Sequence, residues 1–333
     1  MTNSKTILIS RTDSIGDVVL TLPLAGIIKK VYPNDKILFL GKNYTRDVVS
    51  LSKNIDVFIS YDELLNSPQK KQVEIIRDYK IDICIHVFPV WHIARLIKAA
   101  GIKTRIGTTN RLYHWFTCNR LVKLSRRKSQ LHESQLNTKL LAPVGITTDF
   151  NLNQIKSYYG FVNVPVLDNE FKPLLDTDKK KIIIHPRSKG SAKEWGLKNF
   201  AKLILLLTEN NYQVYISGTK EEGESIRDFI DQHPQAIDLT GQFSLQQFIA
   251  FIAECDGLVA ASTGPLHIAA ALGKKAIGLF SPRRPIHPKR WMPIGKSASY
   301  LVNDENCEKC AQKKECDCIT DIDPNDVLDK LEN

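Results

Sequence analysis

The sequence has no long apolar run. Its longest, such as residues 203–207, fall far short of the ~20 residues that a bilayer-spanning helix needs. It opens on a strand-like stretch and not on a charged leader with an apolar core, so a cytoplasmic protein is expected. Neither G-x-x-x-x-G-K-[ST] nor G-x-G-x-x-G occurs, which excludes the two commonest glycine-rich phosphate cradles and argues against a Rossmann dehydrogenase. Low-complexity tracts are missing. Between Asp82 and Glu133 there is no acidic residue at all, yet ten Lys and Arg. Cysteine is present but odd in number, seven, which does not suit a complete disulfide framework.

What is present points to a soluble globular protein of two domains. With 333 residues, 43% apolar and 25% charged, the chain is too long for one ordinary core. The net charge of +10 is lopsided: residues 1–160 carry 24 Lys and Arg against 12 Asp and Glu, the remainder 22 against 24. The first half therefore presents a positive face suited to nucleic acid, a phospholipid surface or a phosphorylated glycan. Trp91, Tyr113, Trp115 and Phe116 interleave with its cations, as a membrane-interface or sugar-contacting loop would have them. The plain alternative is a solvated surface kept for solubility.

Strand and helix patterns alternate. Strands are expected near residues 6–10, 37–40, 57–60, 81–87 and 104–107, with helices at 15–31, 45–50, 67–79, 91–100 and 133–143. Residues 146–180 read as a linker rich in Asn, Asp, Lys and Pro. The pattern then restarts, with strands near 181–185, 213–217, 237–238, 258–261 and 276–280 and helices at 197–210, 221–231, 245–254 and 266–272. The alternation implies two doubly wound parallel sheets, in domains of residues 1–165 and 166–333.

Open α/β sheets bind ligands beyond the carboxyl ends of their strands, so the strand-to-helix turns are the candidate sites. The most informative spans residues 257–273. A short apolar strand runs into Ser262, Thr263, Gly264, Pro265, Leu266 and His267, and then into a helix. Ser262 or Thr263 can cap that helix, Gly264 permits the tight turn, and Pro265 suits its first position. The unpaired amides and the dipole make an anion site. After the first strand comes Arg11 to Asp17, where Asp17 would begin a helix, and a simple capping role is the cheaper explanation. After residue 185 comes a polar basic loop through Ser188 to Lys193 and Trp195. Lys193 there is either a phosphate counter-charge or an ordinary surface lysine. Glu222 opens another helix and could accept from a ribose, though capping explains it too.

Cys307-x-x-Cys310-x5-Cys316-x-Cys318 has the donors of a four-thiolate zinc site. The Cys316-x-Cys318 spacing strains a tetrahedron, so unligated or oxidised thiols fastening the tail are an equal alternative. Cys84, Cys118 and Cys255 sit singly in apolar contexts and are expected in the core. Asp321-x-Asp323 matches a metal motif formally but lies away from any strand end.

In order and spacing the turns resemble glycosyltransferase family 9, the lipopolysaccharide heptosyltransferases, over nearly the whole chain. The pieces are Arg11-x-x-x-Ile15-Gly16-Asp17 with Thr21-x-Pro23, and His185-Pro186 with Lys193-x-Trp195. Gly218 with Glu222, Asp238 to Gly241, Thr263 to His267 with Gly273, and Gly278 with Pro282 complete the set. The resemblance implies a GT-B architecture: two Rossmann-like domains facing across a cleft, the first for acceptor and the second for donor. It implies inverting transfer of heptose from ADP-heptose to the anionic lipid A–core acceptor, by a cytoplasmic protein peripheral to the inner membrane. No catalytic cofactor and no nucleic acid are implied. By resemblance Asp17 is the base, Lys193 and Glu222 contact the donor, and residues 262–267 hold the diphosphate, with Ser188 and Trp195 nearby. Asp13 is an additional candidate base, expected on the opposite side of the cleft. Arg11, Arg111, Arg120, Lys123, Arg126, Arg127 and Lys128 are the expected acceptor cations. Ser262 departs from the family's aspartate and removes a charged acceptor for sugar hydroxyls. A nucleotide-sugar 2-epimerase of the same fold, or a non-catalytic glycan- or nucleotide-binding relative, are the alternatives.

Overall fold

A computed structural model of the chain describes residues 4–126 and 129–333, and its contacts divide into two units, residues 1–163 and 164–333. The first unit holds β1 (Thr6–Ser10), β2 (Lys36–Gly41), β3 (Val57–Ser60), β4 (Ile83–His86), β5 (Thr104–Thr108) and β6 (Arg120–Val122) in one parallel sheet, ordered β3-β2-β1-β4-β5-β6. The second holds β7 (Lys180–His185), β8 (Tyr212–Ile216), β9 (Ala236–Asp238), β10 (Gly257–Ala261), β11 (Lys275–Leu279) and β12 (Ala298–Leu301), ordered β12-β11-β10-β7-β8-β9. Both are the doubly wound order in which the first strand neighbours the fourth, so each sheet has its switch point there. Ile7, Leu8, Ile9, Ile182, Ile183 and Ile184 are almost wholly buried. Continuous apolar runs of this kind mark central strands covered by helices on both faces.

Proline and local geometry break three of the expected helices. The stretch 15–31 becomes Ile15–Val19 and Pro23–Val31, because Pro23 has no amide to continue the first helix and instead begins the second. The stretch 133–143 is helical only over Glu133–Thr138. It tightens into the 3-10 turn Lys139–Val144 around Pro143, closed by Gly145 at φ 80°. The stretch 221–231 splits into Lys220–Ser225 and Arg227–Asp231 at Ile226. β6 and β12 were not expected: they are short edge strands without an apolar run.

The supposed linker is not a free tether. Ser52 bridges Phe161, and Leu51 O accepts from Val162 N at 3.0 Å, so the chain as far as 163 is fastened to the first unit. In the second unit Trp195, Phe200, Leu203 and Leu207 form a core with Val327 and Leu331 of the last helix, Pro324–Glu332. Asp323 caps that helix by accepting from Asn325 N at 2.9 Å, which accounts for the Asp-x-Asp sequence without a metal.

Candidate active site

In the second unit the switch point lies between β7 and β10, where Ala260 is level with His185. Past β10, Thr263 occupies the N-cap position in extended conformation and the helix Gly264–Ala271 comes next. Neither Ser262 nor Thr263 caps it. Among the described residues no side-chain cap bond forms, and Thr263 Oγ1 is buried without a hydrogen-bond partner. Pro265 falls in the first turn, where its missing amide costs nothing. The first-turn amides of Gly264 and Leu266 have no intrahelical acceptor and carry the positive end of the dipole. Ser262, Gly264 and Pro265 are half-buried, whereas the Leu266 and His267 side chains are buried, so Leu266 can offer a ligand only its main chain.

His185 ends β7 nearby. Ser217 Oγ donates to Ile184 O at 3.1 Å, so its oxygen accepts from His185 Nδ1 at 3.0 Å. Burial lowers the His185 pKa against the opposing carboxylates of Glu222 and Glu194, keeping the ring neutral with Nε2 as an acceptor. In the loop beyond it, Ser188 Oγ donates to Ala192 O at 2.9 Å, and Glu194 holds both Ser188 N and Arg187. Lys193 Nζ donates to the Cys316 carbonyl, which fixes its ammonium beside the cysteine-rich tail. Trp195 is corrected. It is fully buried, donates from Nε1 to Ile322 O at 3.0 Å and packs edge-on to Phe200, so it belongs to the core and not to a donor surface. Glu222 is largely buried and makes a capping box, accepting from Thr219 N at 2.8 Å while Thr219 Oγ1 accepts from Glu222 N.

The first unit's switch point, between β1 and β4, is an ion network. Arg11 donates to Asp13 through Nε and Nη2 at 2.7 and 3.0 Å, to Glu133 Oε1 at 3.1 Å, and to Asp17. Arg126 Nε meets the same Glu133 oxygen at 2.8 Å and also reaches Val87 O and Asn137. Asp17 additionally accepts from Ser14 Oγ. Burial works to lower the Arg11 pKa, but Asp17, Asp13 and Glu133 outweigh it and hold the guanidinium charged. Asp13 is pushed up to about 6, chiefly by burial and with Asp17's like charge adding to it, against the pull of Arg11.

Three expectations change here. Asp13 is not opposite Asp17: the two share one loop and one guanidinium. Arg11 is only 2% exposed, with its donors committed to three carboxylates, so it orients those groups and does not reach an acceptor. Arg126 is likewise engaged with Glu133 and Asn137. Arg111, Arg120 and Lys123 are exposed, while Arg127 and Lys128 lie outside the described residues. Glu133 is the functional group that the sequence did not single out. As the sole acid ending a long basic run it was the available signal, and it is buried as the joint of both arginines.

The four tail cysteines come together, their Sγ atoms all within 4.8 Å of one another, so the set can hold a metal. Cys84, Cys118 and Cys255 are buried free thiols.

The sequence profile of glycosyltransferase family 9 (heptosyltransferase) matches residues 70–318. The chain belongs to glycosyltransferase family 9. This family 9 enzyme is 27% identical over 306 residues to a provisionally named glycosyltransferase of Haemophilus influenzae, covering 89% of this chain and 88% of that one. Its fold matches a family 9 glycosyl transferase from Veillonella parvula with TM-score 0.82 at 20% identity, covering 100% and 98% of the two chains. It matches the Escherichia coli ADP-heptose lipopolysaccharide heptosyltransferase II with TM-score 0.73 at 19% identity, covering 98% and 97%. The fold is thus GT-B, and the reaction class is glycosyl transfer.

Proposed function

We propose that this glycosyltransferase moves a heptose from ADP-heptose, with inversion, onto a lipopolysaccharide inner-core acceptor. The second unit takes the donor and the first the acceptor. The observation that carries the reading is Thr263 Oγ1, a buried hydroxyl with no partner among the described residues, set at the start of a helix beside the switch-point strand. A buried unmade hydrogen bond is costly, and a diphosphate oxygen would complete it while meeting the first-turn amides. Negative charge grows on that diphosphate as the glycosidic bond breaks, so such donors favour the transition state over the ground state.

Inverting transfer also needs one carboxylate to take the acceptor hydroxyl's proton. Asp17 is that base, with Ser14 and Arg11 fixing its oxygens and about a fifth of its side chain exposed. Asp13 shares Arg11 and keeps a second, weaker-acid carboxyl beside it.

Among the described residues no helix is long and apolar enough to cross a membrane. The exposed Leu112, Trp115 and Phe116 stand with Arg111 and Arg120 on the first unit. Apolar rings beside cations fit an anionic phospholipid surface, where the lipid-borne acceptor would be met on the cytoplasmic face. Incubation with ADP-heptose, with and without lipid A–core acceptor, tests the whole reading. Acceptor-dependent ADP release is expected. Isomerisation of the donor without acceptor, or binding without turnover, would replace it with an epimerase or a binding protein.

A further inference from the structure

We infer that Cys307, Cys310, Cys316 and Cys318 form a tetrathiolate centre for one zinc or iron ion, and that this centre holds the loop after β7 in place. The inference does not rest on the identity of the sugar donor. Cys307 stands at the N-cap of the short helix Glu308–Ala311 and Cys310 lies on it, so one turn brings both sulfurs to the same side. Lys313, at φ 60°, then reverses the chain. The reversal returns Cys316 and Cys318 to the first pair, which answers the objection raised by their tight spacing.

All four Sγ atoms lie within 4.8 Å of one another, and those of Cys310 and Cys316 are 2.9 Å apart. A tetrahedron with metal–sulfur arms of about 2.3 Å has edges of roughly 3.8 Å, so small side-chain rotations suffice. The separation is well beyond the ~2.05 Å of a disulfide. Cys310, Cys316 and Cys318 are buried, so an ion held by their sulfurs would be shielded from water. Thiolate donors with no carboxylate or imidazole in the set select zinc or iron. Binding replaces four S–H protons, which pass to solvent, with four metal–sulfur bonds and leaves the ion's oxidation state unchanged.

The surroundings match what metal sites recruit. Ser281 Oγ lies 3.3 Å from Cys310 Sγ, and the Lys193 ammonium sits on the Cys316 carbonyl, partly balancing the excess negative charge of four thiolates. Two further bonds join the same segments: Asn199 Nδ2 to Thr320 O at 2.6 Å and Trp195 Nε1 to Ile322 O at 3.0 Å. The tail from Cys307 to Ile322 is therefore a clasp over residues 193–199. The metal closes the clasp.

Elemental analysis of the full chain, purified without added metal and without oxidant, should find about one equivalent of zinc or iron. An iron-loaded sample is coloured by thiolate-to-iron charge transfer. A zinc-loaded one is colourless, and on cobalt exchange should give the intense visible bands of tetrahedral cobalt thiolate. The double variant Cys310→Ser/Cys316→Ser should lose the ion; if it does not fold, the cobalt spectrum of the unaltered chain reads the thiolates directly. Removing the metal with a chelator should speed amide exchange at residues 186–196 at least tenfold and leave β1 unchanged. Four free thiols after incubation with zinc and with ferrous iron, or a Cys310–Cys316 disulfide in anaerobically purified protein, would overturn the centre. Unaltered exchange at 186–196 on chelation would overturn its positioning role.

Discussion

The two sheets share one strand order but carry opposite chemistry at the same topological point. Beyond β1 and β4, three carboxylates crowd two guanidinium groups in a mostly buried network. Beyond β7 and β10 there is a neutral histidine, an unpartnered hydroxyl and the start of a helix. The first arrangement holds carboxylate oxygens against guanidinium groups. The second presents donors to an anion and has no carboxylate aimed at it from the β10 turn, because Ser262 stands there. On the proposed function, two sheets of the same strand order would serve the two halves of a group transfer through different turns after their switch-point strands.

The contrast breaks most sharply at Asp17. Asp17→Asn keeps the shape and removes the proton acceptor, so turnover should fall roughly 10²–10⁴-fold. ADP affinity, measured by titration calorimetry, should stay unchanged because the donor unit is untouched. Near-normal turnover would remove Asp17 as the base.

Thr263→Val tests the other half. The hydroxyl has no partner among the described residues, so folding stability should hold or rise when it is replaced. ADP binding should weaken by about 1.5–3 kcal/mol, a roughly tenfold to hundredfold rise in Kd. A variant that loses stability and keeps its ADP affinity would make Thr263 a structural residue.

The pH dependence separates the two carboxylates of the first half. With Asp13 at about 6, kcat/KM should fall as pH drops through that value and its charge beside Arg11 is lost, and Asp13→Asn should remove that limb. The stability effect has the opposite sense to that of a carboxylate whose pKa is lowered on folding, because burial outweighs the pull of Arg11. The folded protein keeps Asp13 protonated between its ordinary 3.8 and about 6, while the unfolded chain does not. The stabilisation from this group is present below that window and lost as pH rises through it. The Tm of Asp13→Asn relative to the parent should therefore improve from pH 5 to pH 8. An acid limb that persists in the variant would take Asp13 out of the site.

Much of the scaffold was legible because central parallel strands advertise themselves. Runs such as Ile182–Ile183–Ile184 admit few other structures, and the β10 turn is marked by Gly264 and Pro265. The missed features have physical causes. The edge strands β6 and β12 bury too little to need apolar runs, and the helix at 15–31 hid its break because the residues on both sides of Pro23 are equally apolar. Side-chain roles were harder still. A lysine or tryptophan in a polar loop has the same sequence signature whether it meets a ligand or its own tail. Only packing shows Trp195 in the core and Lys193 on the Cys316 carbonyl. Arg11 was misread for the same reason: one-dimensional charge counting cannot see that Glu133, distant in sequence, neutralises it.

The smallest expected effect concerns the exposed rings of the first unit. Phe116 is 67% exposed and Trp115 57%, on the short helix His114–Thr117, where Trp115 Nε1 donates to Thr109 O and Lys98 reaches Phe116 O. The first bond pins the indole and the second holds the helix backbone, and both rings stay exposed at a cost in water that a bilayer interface would offset. Trp115→Ser with Phe116→Ser should weaken sedimentation with vesicles containing anionic phospholipid by roughly tenfold. Neutral vesicles should bind the parent poorly, and salt should weaken its binding to anionic ones, since Arg111 and Arg120 supply the screened part of the attraction. Turnover on a detergent-soluble acceptor should be untouched in the double variant, because the bonds of this helix run to Thr109 and Lys98 and not to Asp13 or Asp17. If vesicle binding survives the double substitution while soluble turnover collapses, these rings belong to the acceptor site itself. The first half would then combine proton abstraction and sugar recognition without a separate membrane-facing surface.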